Sequence, residues 1–137
     1  MNDTVSPHRA LIYTMVTISA ADSTMTDSEL LKIGEIVQTL PVFREFDSEN
    51  LVTVAEECGL LLEGDDGLDN VLDVIAGSLP EKLYVTAYAL AVEVAAADLV
   101  VEQEELRFLA LLRDRLALDK LTVAAIEFSA RVRNRVI

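Results

Sequence analysis

The stretch at 20–30, "AADSTMTDSEL", decides the fold, because it returns at 96–106 as "AADLVVEQEEL". Shifting the chain by 76 residues, from 20 to 96, places Ala20, Ala21, Asp22, Glu29 and Leu30 on Ala96, Ala97, Asp98, Glu105 and Leu106. Val16 falls on Val92 and Leu40 on Leu116. Each copy runs as an apolar segment, then Asp, then a short loop, then a new segment with Glu in its first turn. Thr26-Asp27-Ser28-Glu29 has the spacing of a capping box, in which the first hydroxyl and the last carboxylate satisfy each other's backbone N–H groups. The unit is therefore a helical hairpin present twice, over about 10–40 and 86–116, and not a run of stacked solenoid units.

Outward from the repeat, the chain reads as helices throughout. Ser6-Pro7 has the order of an N-cap followed by proline at the first helical position. Leu30, Ile33, Val37 and Leu40 form a stripe on the second helix, which Pro41 ends. Asp47 or Ser48 caps a third helix, with Leu51, Val54, Ala55, Cys58 and Leu62 on one side and Glu49, Glu56 and Glu63 on the other. A fourth helix carries Val71, Leu72 and Ile75. Residues 83–97 are apolar almost all round, which marks a central buried helix. Leu106, Leu109, Leu112 and Leu116 are expected to face the core from the sixth helix, with Phe108 and Leu111 adding a second face. Asp119 caps a last helix whose stripe reads Leu121, Ala125, Phe128, Val132 and Val136. No segment alternates with period two. The expectation is an all-α fold, a single compact bundle of about seven helices built around the duplicated hairpin, forming one domain over 1–137.

Composition agrees. With 137 residues, 52% of them hydrophobic, the chain can bury a real core, and five Gly and three Pro leave little room for a turn-rich β fold. The net charge of −13 is uneven. Residues 1–105 hold 21 acids against Arg9, Lys32, Arg44 and Lys82, a net of −17, while residues 106–137 hold seven bases against Asp114, Asp119 and Glu127, a net of +4. An acidic body repels nucleic acid and anionic membrane and attracts cations or a basic protein partner. Arg131, Arg133 and Arg135 at the end of the last helix complement its macrodipole. The longest apolar run, Leu83–Ala97, is short and contains Glu93, so direct membrane insertion is not expected. A single cysteine, Cys58, on a core face reads as a buried inert thiol. With no secretory pattern at "MNDTVSPHR", the expectation is a cytoplasmic protein. No Ser/His/Asp set with a usable histidine, Gly-rich phosphate loop or zinc motif stands out, so no enzyme is expected. "EGDDGLD" at 63–69 has acids and glycine in the wrong register for an EF-hand and reads as a solvated turn.

An apolar helix, Ala-Asp, a loop and Glu-Leu, present twice in an acidic chain of this length, resembles the TerB-like family associated with tellurite resistance. The likeness runs from about Ala10 to Leu118. It implies an all-helical, non-catalytic accessory protein of a tellurite or metal stress response, in some settings part of a membrane-associated stress complex. It also implies a divalent-cation site at Asp22 and Glu29 in the first hairpin and at Asp98 and Glu105 in the second. The family has Gly after the Asp; Ser23 and Leu99 stand there in this chain.

Two readings of these carboxylates remain open. If the hairpins bring Asp22 and Asp98 together, four carboxylates and nearby carbonyls suit Ca²⁺ or Mg²⁺, both of which prefer oxygen ligands. Alternatively, Glu29 and Glu105 are first-turn caps, Asp22 and Asp98 organise loops, and the acidic surface is a protein-interaction scaffold. Glu93, the one charged residue of 83–97, is a weaker ligand candidate, and an arginine of the sixth helix such as Arg113 is its expected partner.

Overall fold

A computed structural model describes residues 4–21, 25–97 and 102–137, and every regular element within them is helical. The α-helices are α1 (Pro7–Ser19), α2 (Asp27–Thr39), α3 (Leu51–Leu62), α4 (Gly67–Ser78), α5 (Tyr84–Ala96), α6 (Gln103–Arg115) and α7 (Lys120–Arg133). Short 3-10 turns at Pro41–Phe43, Ser48–Asn50 and Glu81–Leu83 lie between them. The duplication is visible in the bounds. Shifted by the same 76 residues, α2 lands on α6 at both ends, and its N-cap Thr26 lands on Glu102. None of the helices in the described residues is long and apolar enough to cross a membrane.

The first helices of the two hairpins pack on each other and form the centre. α1 buries every residue from Ala10 to Ser19 and lies against α3, α4 and α5. α5 buries Ala87, Tyr88, Leu90, Ala91, Val92, Val94 and Ala95 between α1, α6 and α7. A helix buried all round must satisfy its polar side chains locally. Thr14 Oγ1 donates to the Ala10 carbonyl at 2.9 Å, and Thr17 Oγ1 meets Cys58 Sγ at 3.5 Å. Ser19 Oγ is buried with no partner among the described residues.

The helix ends follow the local chemistry. Ser6 Oγ accepts the Arg9 N–H at 3.2 Å, with Pro7 at the first helical position. Asp119 Oδ1 accepts the Thr122 N–H at 3.0 Å and starts α7. α6 stops in a Schellman motif: the Leu118 N–H reaches the Arg113 carbonyl and the Ala117 N–H reaches that of Asp114, with Ala117 at a φ of 53°. At the α3–α4 turn a Cβ on Gly67 would stand 2.2 Å from the Leu62 carbonyl oxygen. Glycine there permits the close approach that turns the chain.

Three helix faces differ from the sequence expectation. On α2, Ile33, Ile36 and Val37 are buried, while Leu40 is exposed. On α6, Leu106 is exposed, and Glu105, Phe108, Leu109 and Leu112 face inward. On α7 the rotation is nearly reversed. Val123 and Ala130 are buried, whereas Leu121, Phe128, Val132 and Val136 face out. The reason is polar satisfaction. The hydroxyl of Tyr88 and the carboxylate of the half-buried Glu93 project from α5, and both take partners on α7. Only the Val123–Ala130 face of α7 brings Glu127 to the Tyr88 hydroxyl and Arg133 to the Glu93 carboxylate. An unmatched buried polar group costs about 1–3 kcal/mol, comparable with the burial of one large apolar side chain.

Candidate functional site

The repeated carboxylates divide into those with a structural role and those outside the described residues. Glu29 is half-buried at the start of α2. Its Oε1 accepts the Thr26 N–H and the Thr26 hydroxyl, each at 2.9 Å, and Thr26 Oγ1 accepts the Glu29 N–H at 3.2 Å. The capping box read from the sequence is therefore present. Glu105 takes the equivalent place in the second hairpin, where its Oε1 accepts the Glu102 N–H at 3.0 Å. Unlike Glu29 it is only 4% exposed, because the first turn of α6 packs toward the end of α1. The free N–H groups and positive end of α6 offset the cost of placing a carboxylate there. Asp22 and Asp98 lie outside the described residues.

Glu93 corrects the expected partner. It pairs with Arg133 of α7, whose Nη1 donates to Glu93 Oε2 at 2.6 Å, and not with an arginine of α6. Arg113 is engaged elsewhere: its Nη1 donates to the Tyr88 hydroxyl at 2.9 Å and stands 3.4 Å from Glu127 Oε2, which accepts the Tyr88 proton. Burial pushes the Tyr88 hydroxyl up to about 12, and its bond to Glu127 pushes the same way. This three-residue set ties α5, α6 and α7 together along the wall of an open groove of about 650 Å³. A second set ties α1 to α3, where Arg9 and Tyr13 both donate to Glu57 Oε2. Its hydrogen bond from Arg9 holds the Glu57 carboxyl below its ordinary value, and burial raises Tyr13 to about 12. Neither set was legible in the sequence, because in each the acceptor carboxylate sits on a different helix from the groups that donate to it.

The end of α1 lies beside the first turns of α6. Thr17, Ala20 and Ala21, which lead into Asp22, line a cleft of about 260 Å³ together with Glu104, Arg107 and Phe108, which follow Asp98. The cleft wall carries both signs of charge. Among the described residues no three His, Cys, Asp or Glu side chains lie together as a metal-binding group.

The groups that elsewhere serve as nucleophile or base have structural surroundings here. The Cys58 thiol is buried, and desolvation pushes it up to about 11, which keeps it protonated and weakly nucleophilic at neutral pH. His8 Nε2 lies 2.9 Å from the Val42 carbonyl, and its ring packs against Phe43 and Phe46.

The strongest surface feature is on α3. Val52 and Leu60 are 51% and 71% exposed, and Glu49, Glu56 and Glu63 are exposed around them. Comparison with protein-family models, curated proteins and solved structures finds no match for this chain.

Proposed function

We propose that the chain is a non-catalytic TerB-like accessory protein of a tellurite or metal stress response, and that it works as an acidic helical module engaging a basic protein partner. The observation that carries the binding part is the outer face of α3, where the exposed Val52 and Leu60 flank a row of exposed glutamates. A row of one sign of charge with apolar side chains at its edges suits a helix or strand of the opposite sign. The stress link rests on the resemblance of the two Ala-Ala-Asp and Glu-Leu units to that family. The non-catalytic reading is supported by the protonated, buried Cys58 and the engaged ring of His8. Binding of a lysine- and leucine-rich amphipathic peptide, followed by calorimetry at low and high salt, tests the module. Saturable binding that weakens with salt and is lost in Glu56→Lys is expected. No binding, or binding indifferent to salt and to Glu56→Lys, overturns it.

A second reading has one specific observation in its favour. The cleft lined by Ala20, Ala21 and Glu104 brings the residues just before Asp22 beside the first turn of the helix that follows Asp98. A Ca²⁺ or Mg²⁺ ion held by Asp22 and Asp98 at that shared end fits the oxygen preference of these ions. Glu29 and Glu105 are occupied as caps, and Glu93 is paired with Arg133, so in this reading the two aspartates carry the site. Mn²⁺ added as a paramagnetic probe distinguishes it. Broadening confined to the amides of Ala20, Ala21, Gln103 and Glu104 supports the ion; diffuse broadening over all acidic surfaces removes it.

A further inference from the structure

We propose that the basic partner of the acidic α3 face is helix α7 of a second copy of this chain. The inference rests on the module reading above and names its partner. α7 is seated on α5 through Val123 and Ala130, with Glu127 and Arg133 anchored to Tyr88 and Glu93. Its opposite side carries Leu121, Phe128 and Val132, which fall within about 40° of one another at about 100° per residue. Leu121 is 81% exposed and Phe128 56% exposed, so this stripe is an unpartnered apolar surface on an otherwise docked helix. Lys120 and Arg131 follow its flank, and the Arg131 guanidinium lies 5.9 Å from the centre of the Phe128 ring. Arg135 extends the basic edge past the end of the helix.

The two faces complement each other in charge. Val52 and Leu60 on α3 are eight residues apart and stand about 80° from each other around the helix, with Glu56 midway between them, so this face is a row of carboxylates with an apolar side chain at each edge. Glu49, Glu56 and Glu63 on one side meet Lys120, Arg131 and Arg135 on the other. α3 packs on α1 and α7 packs on α5, and both faces stay exposed, so within one chain they do not cover each other. The division of the sequence into a body of −17 and a tail of +4 has the same sense: each copy carries one half of a charge pair at each edge. Contact between two different patches is heterologous, so association passes head to tail and extends past the dimer or closes into a ring.

Sedimentation velocity across a wide range of protein concentration tests this. The wild-type chain is expected to show a mass that rises with concentration and falls back to the monomer in high salt. Phe128→Asp blocks the α7 face and Glu56→Arg blocks the α3 face; both positions are exposed, so the fold is retained, and each variant alone is expected to stay monomeric. Arg131→Glu tests the α7 contact through charge alone and is expected to weaken association. Mixing Phe128→Asp with Glu56→Arg leaves one intact face on each, and a dimer that grows no further is expected. A wild-type monomer at every concentration, or no dimer in the mixture, overturns the inference. Co-sedimentation of the chain with phosphatidylserine vesicles that depends on Phe128 also overturns it, in favour of a membrane. If the chain stays monomeric yet its α3 face still takes the basic peptide, only the identity of the partner falls. If neither binds, the module reading falls with it.

Discussion

Ser19, the last residue of α1, holds a buried hydroxyl with no partner among the described residues, and the equivalent position in the second hairpin is Ala95. Ser19→Ala removes the desolvation cost of that group and is expected to raise the urea midpoint, corresponding to about 1 kcal/mol of added stability. A lower midpoint would show that the hydroxyl has a partner. Glu57 gives a pH prediction. Its carboxyl is held below the ordinary value of 4.5 by the hydrogen bond from Arg9, so its contribution is complete above that value. It is lost as pH falls through the depressed folded value. Both side chains are more than a third exposed, so the effect is a fraction of that of a buried pair. Acid titration of stability is expected to show a shallower loss below the carboxylate range in Glu57→Gln than in wild type; equal slopes would remove the pair from the account. Of these residues the sequence identified Cys58 as buried, from its phase on α3. It could not identify Ser19 or Glu57, since both roles depend on which helices come to lie beside α1.

The elements were legible where a local device sets them. The capping box at Thr26–Glu29, the Ser6-Pro7 start and the Asp119 cap each involve side chain and backbone within four residues, so sequence spacing contains the whole interaction. Thr26→Ala is expected to cost about 1 kcal/mol by chemical denaturation, from the loss of the N-cap acceptor. Ala117 offers the opposite change. It ends α6 at a φ of 53°, a region that disfavours every residue with a Cβ. Ala117→Gly is expected to stabilise by about 0.5–1 kcal/mol, and a destabilised variant would mean that the Ala117 methyl contributes packing that outweighs the strain. The rotation of α6 and α7 was not legible. Each has apolar residues on more than one side, and the choice between sides is made by tertiary partners. Glu105 turns inward as a cap, and Glu127 and Arg133 turn toward Tyr88 and Glu93. Counting apolar residues picks the Leu121–Phe128 stripe; satisfying the polar groups of α5 picks the other.

At the scale of the molecule, duplication explains the architecture. Two hairpins donate their apolar first helices to a common centre, and their second helices start on matching residues. The repeat in the sequence was sufficient to expect the duplicated hairpin, while only residues 83–97 were expected at the centre and α1 joins them there. The set of Tyr88, Arg113 and Glu127 then joins α7 to the second hairpin. Tyr88→Phe leaves the two charges paired but removes a buried hydroxyl bonded to both. The expected cost is about 1–2 kcal/mol, with amide exchange accelerated most in α7. The repeated carboxylates were legible as a pattern and not as a function, because the same spacing serves a cap and a ligand. The account assigns the caps to architecture and the acidic surface to binding a basic protein. Thermal unfolding of chelator-treated protein against Ca²⁺, Mg²⁺ and Mn²⁺, with the Asp22→Asn/Asp98→Asn variant alongside, tests that assignment most directly. The account predicts only a shallow, non-saturating rise, of the same form in both proteins and reproduced by monovalent salt. A saturable rise at low ion concentration that the variant loses would contradict it and make the shared end of the two hairpins a cation site.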